Sequence, residues 1–267
     1  MLVAVSCVAV YGINFVTSST VVNGVYYRGD EKSSKISLMI NVYWGTEYLD
    51  EMLQILKDND VKTTFFVGGT WAVKESEMLK KICDEGHEIG NHGYYHKDQG
   101  KLSAEKNYEE IINTHKLVKT LVGVDMNLFA PPSGSYSKKT VEIATELGYR
   151  TIMWTDGRDT IDWRDKNSDL IYQRAIKNCK GGDLVLMHPT EATKNALDKI
   201  IKTLKQKGFS LCTVSQNIGQ IDWFLVFWKI FIVRFLPFCS CFFFATKFAL
   251  QIWFFVKSVC CFYALML

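Results

Sequence analysis

Two histidines four residues apart, His92 and His96 in the run His92-Gly93-Tyr94-Tyr95-His96, follow directly on a β-rich segment. One helical turn would aim both imidazoles at a common point. That is a natural grip for Zn²⁺, whose catalytic sites use three protein ligands and keep an open position for water. A third imidazole, His188, ends the apolar run Leu184-Val185-Leu186-Met187, where a buried strand would release its first polar residue into a pocket. A coincidental surface pair and a strand-end histidine facing solvent are the alternative readings.

The elements that must position these groups alternate regularly. Ile36–Trp44 reads as a strand, and Thr46–Asp58 carries Leu49, Met52, Leu53 and Leu56 at helical spacing. Val61–Val67 is the next strand, Glu75–Glu85 a helix ending at Gly86, and His87–Asn91 a short strand. Ser103–Leu121 is the longest helical stretch, opened by Ser103 as a cap. A strand Asn127–Ala130, a turn through Pro131-Pro132-Ser133-Gly134, a helix Ser137–Gly148 and a strand Tyr149–Trp154 follow. The series ends with helix Ser168–Cys179, strand Asp183–Met187, helix Glu191–Lys207 and strand Phe209–Val214. About seven strands alternating with helices predict a parallel sheet covered by helices, either open or closed into a barrel, with its site at the strand C-termini.

These motifs, in this order, resemble the polysaccharide deacetylases of the NodB-homology type, carbohydrate esterase family 4, over roughly residues 35–217. His92-x-x-x-His96 with the lead-in Gly86-His87-Glu88-Ile89-Gly90-Asn91 is similar to the family's metal motif. Thr64-Phe65-Phe66-Val67 with Trp71 resembles its second strand, and Gly181-Gly182-Asp183 through His188 its final strand with the catalytic-acid histidine. Pro131-Pro132-Ser133-Gly134 resembles the pocket wall, and Asp162-Trp163 the pair that supports the acid and lines the substrate groove. The resemblance implies a distorted (β/α)₇ barrel and a zinc-dependent or other divalent-metal N-deacetylase acting on an N-acetylated glycan such as peptidoglycan or a spore-cortex precursor. It assigns His188, Asn41 and Asp162 to catalytic positions, His92 and His96 to the metal, and Trp163, Pro132, Ser133 and Tyr136 to the substrate.

The first motif departs from the family. Met39-Ile40-Asn41-Val42-Tyr43-Trp44-Gly45 best fits the form used in a sporulation-linked subgroup, which places Asn41 where the catalytic-base aspartate is expected and Val42 where a metal-ligating aspartate is expected. Ala130 stands where the pocket wall carries arginine. Asp162 follows Trp154 by eight residues rather than the usual six, so Asp159 is an alternative partner for the acid. Glu47 is the nearest carboxylate that could replace the missing ones, its other reading being a first-turn residue favourable to a helix N-terminus. A second reading of the chain follows: a catalytically impaired module that binds glycan.

Charge and composition separate the ends from this body. Residues 221–267 hold 12 of the 17 Phe and 4 of the 8 Cys, and Asp222 is their only acidic residue; residues 1–220 carry 27 basic and 27 acidic residues. A neutral body without a Lys/Arg cluster lacks the electrostatic footprint of a nucleic-acid binder. The expected organisation is an apolar signal-anchor-like segment and linker at 1–34, the deacetylase-like domain at 35–220 and a hydrophobic tail at 221–267. Leu2–Val16 is an apolar run of signal-sequence length without a basic start, a buried first strand being its other reading. In the tail, Lys229, Arg234, Lys247 and Lys257 interrupt every stretch of membrane-spanning length, so the tail reads as membrane-associated or as a non-native sequence. The location implied is extracytoplasmic or membrane-associated, in a bacterial cell envelope or spore.

Overall fold

A computed structural model describes residues 19–219. The apolar run Leu2–Val16 and the tail 221–267 lie outside the described residues. The chain runs β1 (Ser19–Val22), β2 (Val25–Asp30), β3 (Lys35–Val42), α1 (Leu49–Asp58), β4 (Thr64–Val67), α2 (Gly69–Lys74), α3 (Ser76–Asp84) and β5 (Glu88–Asn91). It continues through α4 (Ala104–Val122), β6 (Leu128–Phe129), α5 (Lys138–Glu146), β7 (Arg150–Ile152), α6 (Ser168–Ile176), β8 (Leu184–Met187), α7 (Glu191–Gln206), β9 (Ser210–Leu211) and α8 (Val214–Ile218).

The strands form one sheet in the order β1-β2-β7-β6-β5-β4-β3-β8, parallel except for the β1–β2 hairpin. This is the distorted α/β barrel expected from the motifs. The seam between β8 and the β2–β7 edge is closed by the irregular segment 153–160. Thr155 N–H donates to the Leu184 carbonyl at 3.0 Å, Leu186 N–H donates to the Arg158 carbonyl at 2.9 Å, and Gly29 N–H donates to the Gly182 carbonyl at 2.8 Å. A buried ion cluster locks the same seam: Asp183, fully buried, lies 2.7 Å from Arg158 Nε and 2.9 Å from an Arg28 guanidinium nitrogen.

Alternation along the strands sorts the core into two layers. Ile36, Leu38, Ile40 and Val42 of β3 join the cluster facing the helices, whereas Met39 packs inside the barrel with Phe66, Leu128, Ala130, Ile152 and Leu184. Gly90 is required by this inner layer, because a Cβ there would lie 2.4 Å from the Phe66 ring. Val214 and Ile218 of α8 close the lower end, where Arg150 donates to Ser215 Oγ at 3.0 Å and to the Gly219 carbonyl at 2.6 Å.

Three expectations change. Residues 19–30 of the segment read as anchor and linker are strands, and β2 supplies the seventh parallel strand of the barrel sheet beside β7. The expected last strand Phe209–Val214 reduces to β9, paired with Lys35–Ile36, because Thr213 and Gln216 form a capping box that starts α8 instead. Gly69–Lys74 forms a short helix where none was expected.

His87, just before β5, carries an expected result of its own. Its Nδ1 accepts from Thr63 N–H at 3.2 Å, its ring packs edge-on to Phe65, and burial with the nearby Lys62 charge depresses its pKa from 6.5 to about 4. The unfolded chain therefore binds one more proton than the folded one between these values, so stability falls as pH drops through that window and the loss saturates below it. The full loss from this group is about 3 kcal/mol. Urea unfolding at stepped pH should show this slope in the wild type and a slope smaller by up to one proton in His87→Gln; equal slopes would contradict the assignment.

Candidate active site

The inner-face register carries Asn41, His92, Ala130 and His188 to the C-terminal ends of β3, β5, β6 and β8. Asn41 is a buried inward residue of β3 paired in register with Phe66, and its Oδ1 is buried without a hydrogen-bond partner. Val42, one residue on, faces the opposite side and is fully buried in the helix-facing core.

His92 is buried, and its Nδ1 lies 2.8 Å from the Ala130 carbonyl oxygen. A carbonyl only accepts, so Nδ1 carries the proton and Nε2 keeps a free lone pair. Burial, with the neighbouring His96 adding to it, depresses the His92 pKa to about 3; burial likewise lowers that of His96. Both rings are therefore neutral at pH 7 and able to ligate. Their centroids are 5.1 Å apart at 70°.

The pair is not presented by a helical turn as expected. Residues 92–98 form a loop, with Gly93 at φ 73° and His96 at φ 55°. Three elements hold it. The buried carboxylate of Glu110 on α4 accepts from Tyr94 and Tyr95 N–H, both at 2.8 Å; Asn91 Oδ1 accepts from Gly93 N–H; and Gly69 and Thr70 N–H at the start of α2 donate to the Gly93 and Tyr94 carbonyls. Nothing in the local sequence around Glu110 marks this role, since it pairs with a loop 15 and 16 residues earlier.

His188 meets Asp162 rather than Asp159. Asp162 Oδ1 lies 2.7 Å from His188 Nδ1, and its Oδ2 accepts from His188 N–H at 2.6 Å and from the Thr193 hydroxyl. The Asp162 side chain has no solvent exposure, so its charge is satisfied wholly by these donors. Asp159 instead accepts from Ile161 N–H. Trp44 stacks on His188, with centroids 5.9 Å apart and planes 11° apart, and Tyr43 lies over His96 at 4.6 Å. Gly45 permits the first contact: it has φ 81°, and a Cβ would meet the Pro189 carbonyl oxygen at 2.0 Å. Both aromatic contacts escaped sequence reading, although Tyr43 and Trp44 belong to the motif that departs from the family pattern.

The residues expected to line the substrate are spread more widely. Trp163 is 56% exposed, with Arg164 5.8 Å from its ring centroid. Pro132 is buried near Gly93, and Ser133 is exposed with φ 54°. Tyr136 bonds through its hydroxyl to Tyr27 and lines a surface depression of about 710 Å³ with Asn23, Lys138 and Val141, in which no imidazole takes part. Glu47 is exposed in the first turn of a short 3₁₀ helix, Thr46–Tyr48.

The donor set is incomplete for a catalytic metal. Two imidazoles are available, but no group of three His, Cys, Asp or Glu side chains gathers among the described residues. Catalytic zinc centres use three protein ligands. The one further oxygen shown to lack a partner on this part of β3 is the neutral Asn41 amide.

Residues 28–152 match the family model for polysaccharide deacetylase. A peptidoglycan-N-acetylglucosamine deacetylase of Bacillus cereus is 33% identical over 173 residues, covering 63% of this chain and 81% of that protein. This chain belongs to the polysaccharide deacetylase family. The uncharacterized protein YlxY of Bacillus subtilis is 40% identical over 194 residues, which span 73% of this chain and 60% of YlxY. Among solved structures, BA3943 of Bacillus anthracis, a family 4 pseudoenzyme, is 36% identical with a TM-score of 0.72, covering 75% of this chain and 70% of that one. This polysaccharide deacetylase family member thus resembles catalytic and non-catalytic proteins, and the residues at 41 and 42 bear on which it follows.

Proposed function

We propose that this protein binds an N-acetylated glycan of the peptidoglycan type in the barrel mouth and has lost efficient hydrolysis of it. The observation that carries this reading is Asn41, buried at the inward β3 position where a general base would stand. An amide cannot take a proton from water at neutral pH, and loss of a general base removes about 10²–10⁴ in rate. Val42 compounds the loss, since it offers no donor and is packed into the opposite layer.

The other half of the machinery remains in place. His188, held by Asp162 through Nδ1, is positioned to donate from Nε2 to a departing amine or to hydrogen-bond the acetamido group of a bound sugar. Trp163 offers an exposed aromatic face on which a pyranose ring can stack. The retained histidines also have structural work. His92 ties β5 to β6 through the Ala130 carbonyl, and His188 N–H ties β8 to the Asp162 loop, so both can persist without turnover.

In the catalytic family a divalent metal polarises the amide carbonyl and acidifies water. Here His92 and His96 would provide only a two-imidazole grip. Zinc measured on the purified chain after dialysis should fall below one equivalent, and His92→Ala/His96→Ala should remove what remains. Equal zinc in wild type and the double variant would show that these rings are not the grip.

Peptidoglycan-directed relatives support a cell-envelope setting. Among the described residues no helix is long and apolar enough to cross a membrane. Titration calorimetry with chitooligosaccharides and peptidoglycan fragments tests the proposal: binding by wild type and weaker binding by Trp163→Ala are expected. Absence of binding to either glycan would overturn it.

A further inference from the structure

Ile161 stands one residue before Asp162 with φ 55°. For a β-branched side chain this is an outlier costing of order 1–3 kcal/mol, which persists only where its surroundings over-determine it. Both sides of Ile161 are anchored. Thr160 N–H and Oγ1 both donate to the Leu186 carbonyl, and Arg174 donates to the Thr160 carbonyl at 2.9 Å. Beyond it, Arg164 and Asp165 N–H donate to the Ile161 carbonyl. At Ile161 itself, the N–H donates to Asp159 Oδ1 at 2.8 Å.

We propose that Asp159 is a positioning residue: its carboxylate holds Ile161 in the left-handed conformation that turns Asp162 inward onto His188. A local side-chain acceptor two residues upstream is a standard way to stabilise such a kink. The backbone of Asp159 is itself fixed, bridged to Leu186 on β8, so the acceptor is held beside the strand that leads into His188. If Ile161 relaxed to an extended conformation, the next side chain would swing away from the barrel mouth, and His188 would lose both of its contacts to Asp162. The inference rests on the reading of His188 and Asp162 as the proton-carrying pair, but its test reads their contact directly and can fail while that reading stands.

The test uses the full chain with ¹⁵N-labelled histidine. The proton on His188 Nδ1, bonded to a buried carboxylate, should give a downfield NMR signal assigned by its loss in His188→Gln. Asp159→Ala should abolish or shift that signal upfield, whereas Asp159→Asn, which keeps an oxygen acceptor, should retain it. Ile161→Gly should retain it as well, because glycine adopts positive φ without support. The decisive variant is Asp159→Ala/Ile161→Gly, in which the signal should return. It also serves if Asp159→Ala alone does not fold. Thermal unfolding on the same samples separates stability from positioning. An unchanged signal in a folded Asp159→Ala protein, loss of the signal in Asp159→Asn, or loss in the double variant would each overturn the proposal.

Discussion

Replacing Asn41 by Asp should raise acetate release from an N-acetylated glycan by about 10²-fold or more, the lower end of what a general base contributes. The substitution is nearly isosteric, so the β3 register beside Phe66 and the inner packing are unchanged, while a carboxylate now stands at the inward position able to take the proton of attacking water. The gain should vanish in Asn41→Asp/His188→Ala, because base and acid act in sequence on one reaction. Asn41→Asp carries a cost: position 41 is buried, and an ionised carboxylate there needs a partner. The rescued activity should therefore be read with added Zn²⁺, which would provide that partner at the two imidazoles. An Asn41→Asp protein that is folded, holds zinc and shows no gain would place the base position elsewhere.

Asp183→Ala should cost about 3–5 kcal/mol, the range for breaking a buried ion pair by removing one member. Asp183 has no exposed surface and faces Arg158, itself 6% exposed, together with Arg28. Removing the carboxylate leaves the Arg158 charge buried with only the carbonyls of Lys177 and Arg174 as acceptors. Because the three residues come from the position just before β8, the segment after β7 and β2, the lost energy falls on the barrel seam. Denaturant unfolding checks this, with Glu109→Ala as the control: its exposed pair with Lys106 should be worth less than 1 kcal/mol. A loss below 1 kcal/mol for Asp183→Ala would show that the cluster does not hold the seam.

The alternation of short apolar runs with amphipathic helices made most of the barrel legible: β4 and β8 are four-residue runs buried on both faces, and helices such as α1 and α7 keep their 3.6-residue period. The hairpin β1–β2 was hidden by the apolar run that precedes it, although Asn23-Gly24, with φ 52° and 81°, is the residue pair a tight primed turn demands. His92 and His96 were visible from their four-residue spacing after a strand, and His188 as the first polar residue at the end of an apolar one. What placed them was not: Glu110 and Thr193 act across 15 to 31 residues of sequence through single hydrogen bonds, and no local pattern encodes such contacts. Spacing assigned Asp162 but left Asp159 open as an alternative, for a related reason. A single left-handed residue, Ile161, changes which of two nearby carboxylates reaches His188.

Acetate release shows whether the barrel mouth holds a glycan that it does not efficiently cleave. Chitooligosaccharides and peptidoglycan fragments are incubated with the purified full chain in excess Zn²⁺, with a catalytically competent family member run in parallel and binding measured on the same preparation. Saturable binding is expected, with acetate release at least about 10²-fold below that of the competent enzyme. Release within tenfold of that enzyme by the wild-type chain, abolished in His188→Ala, would contradict it.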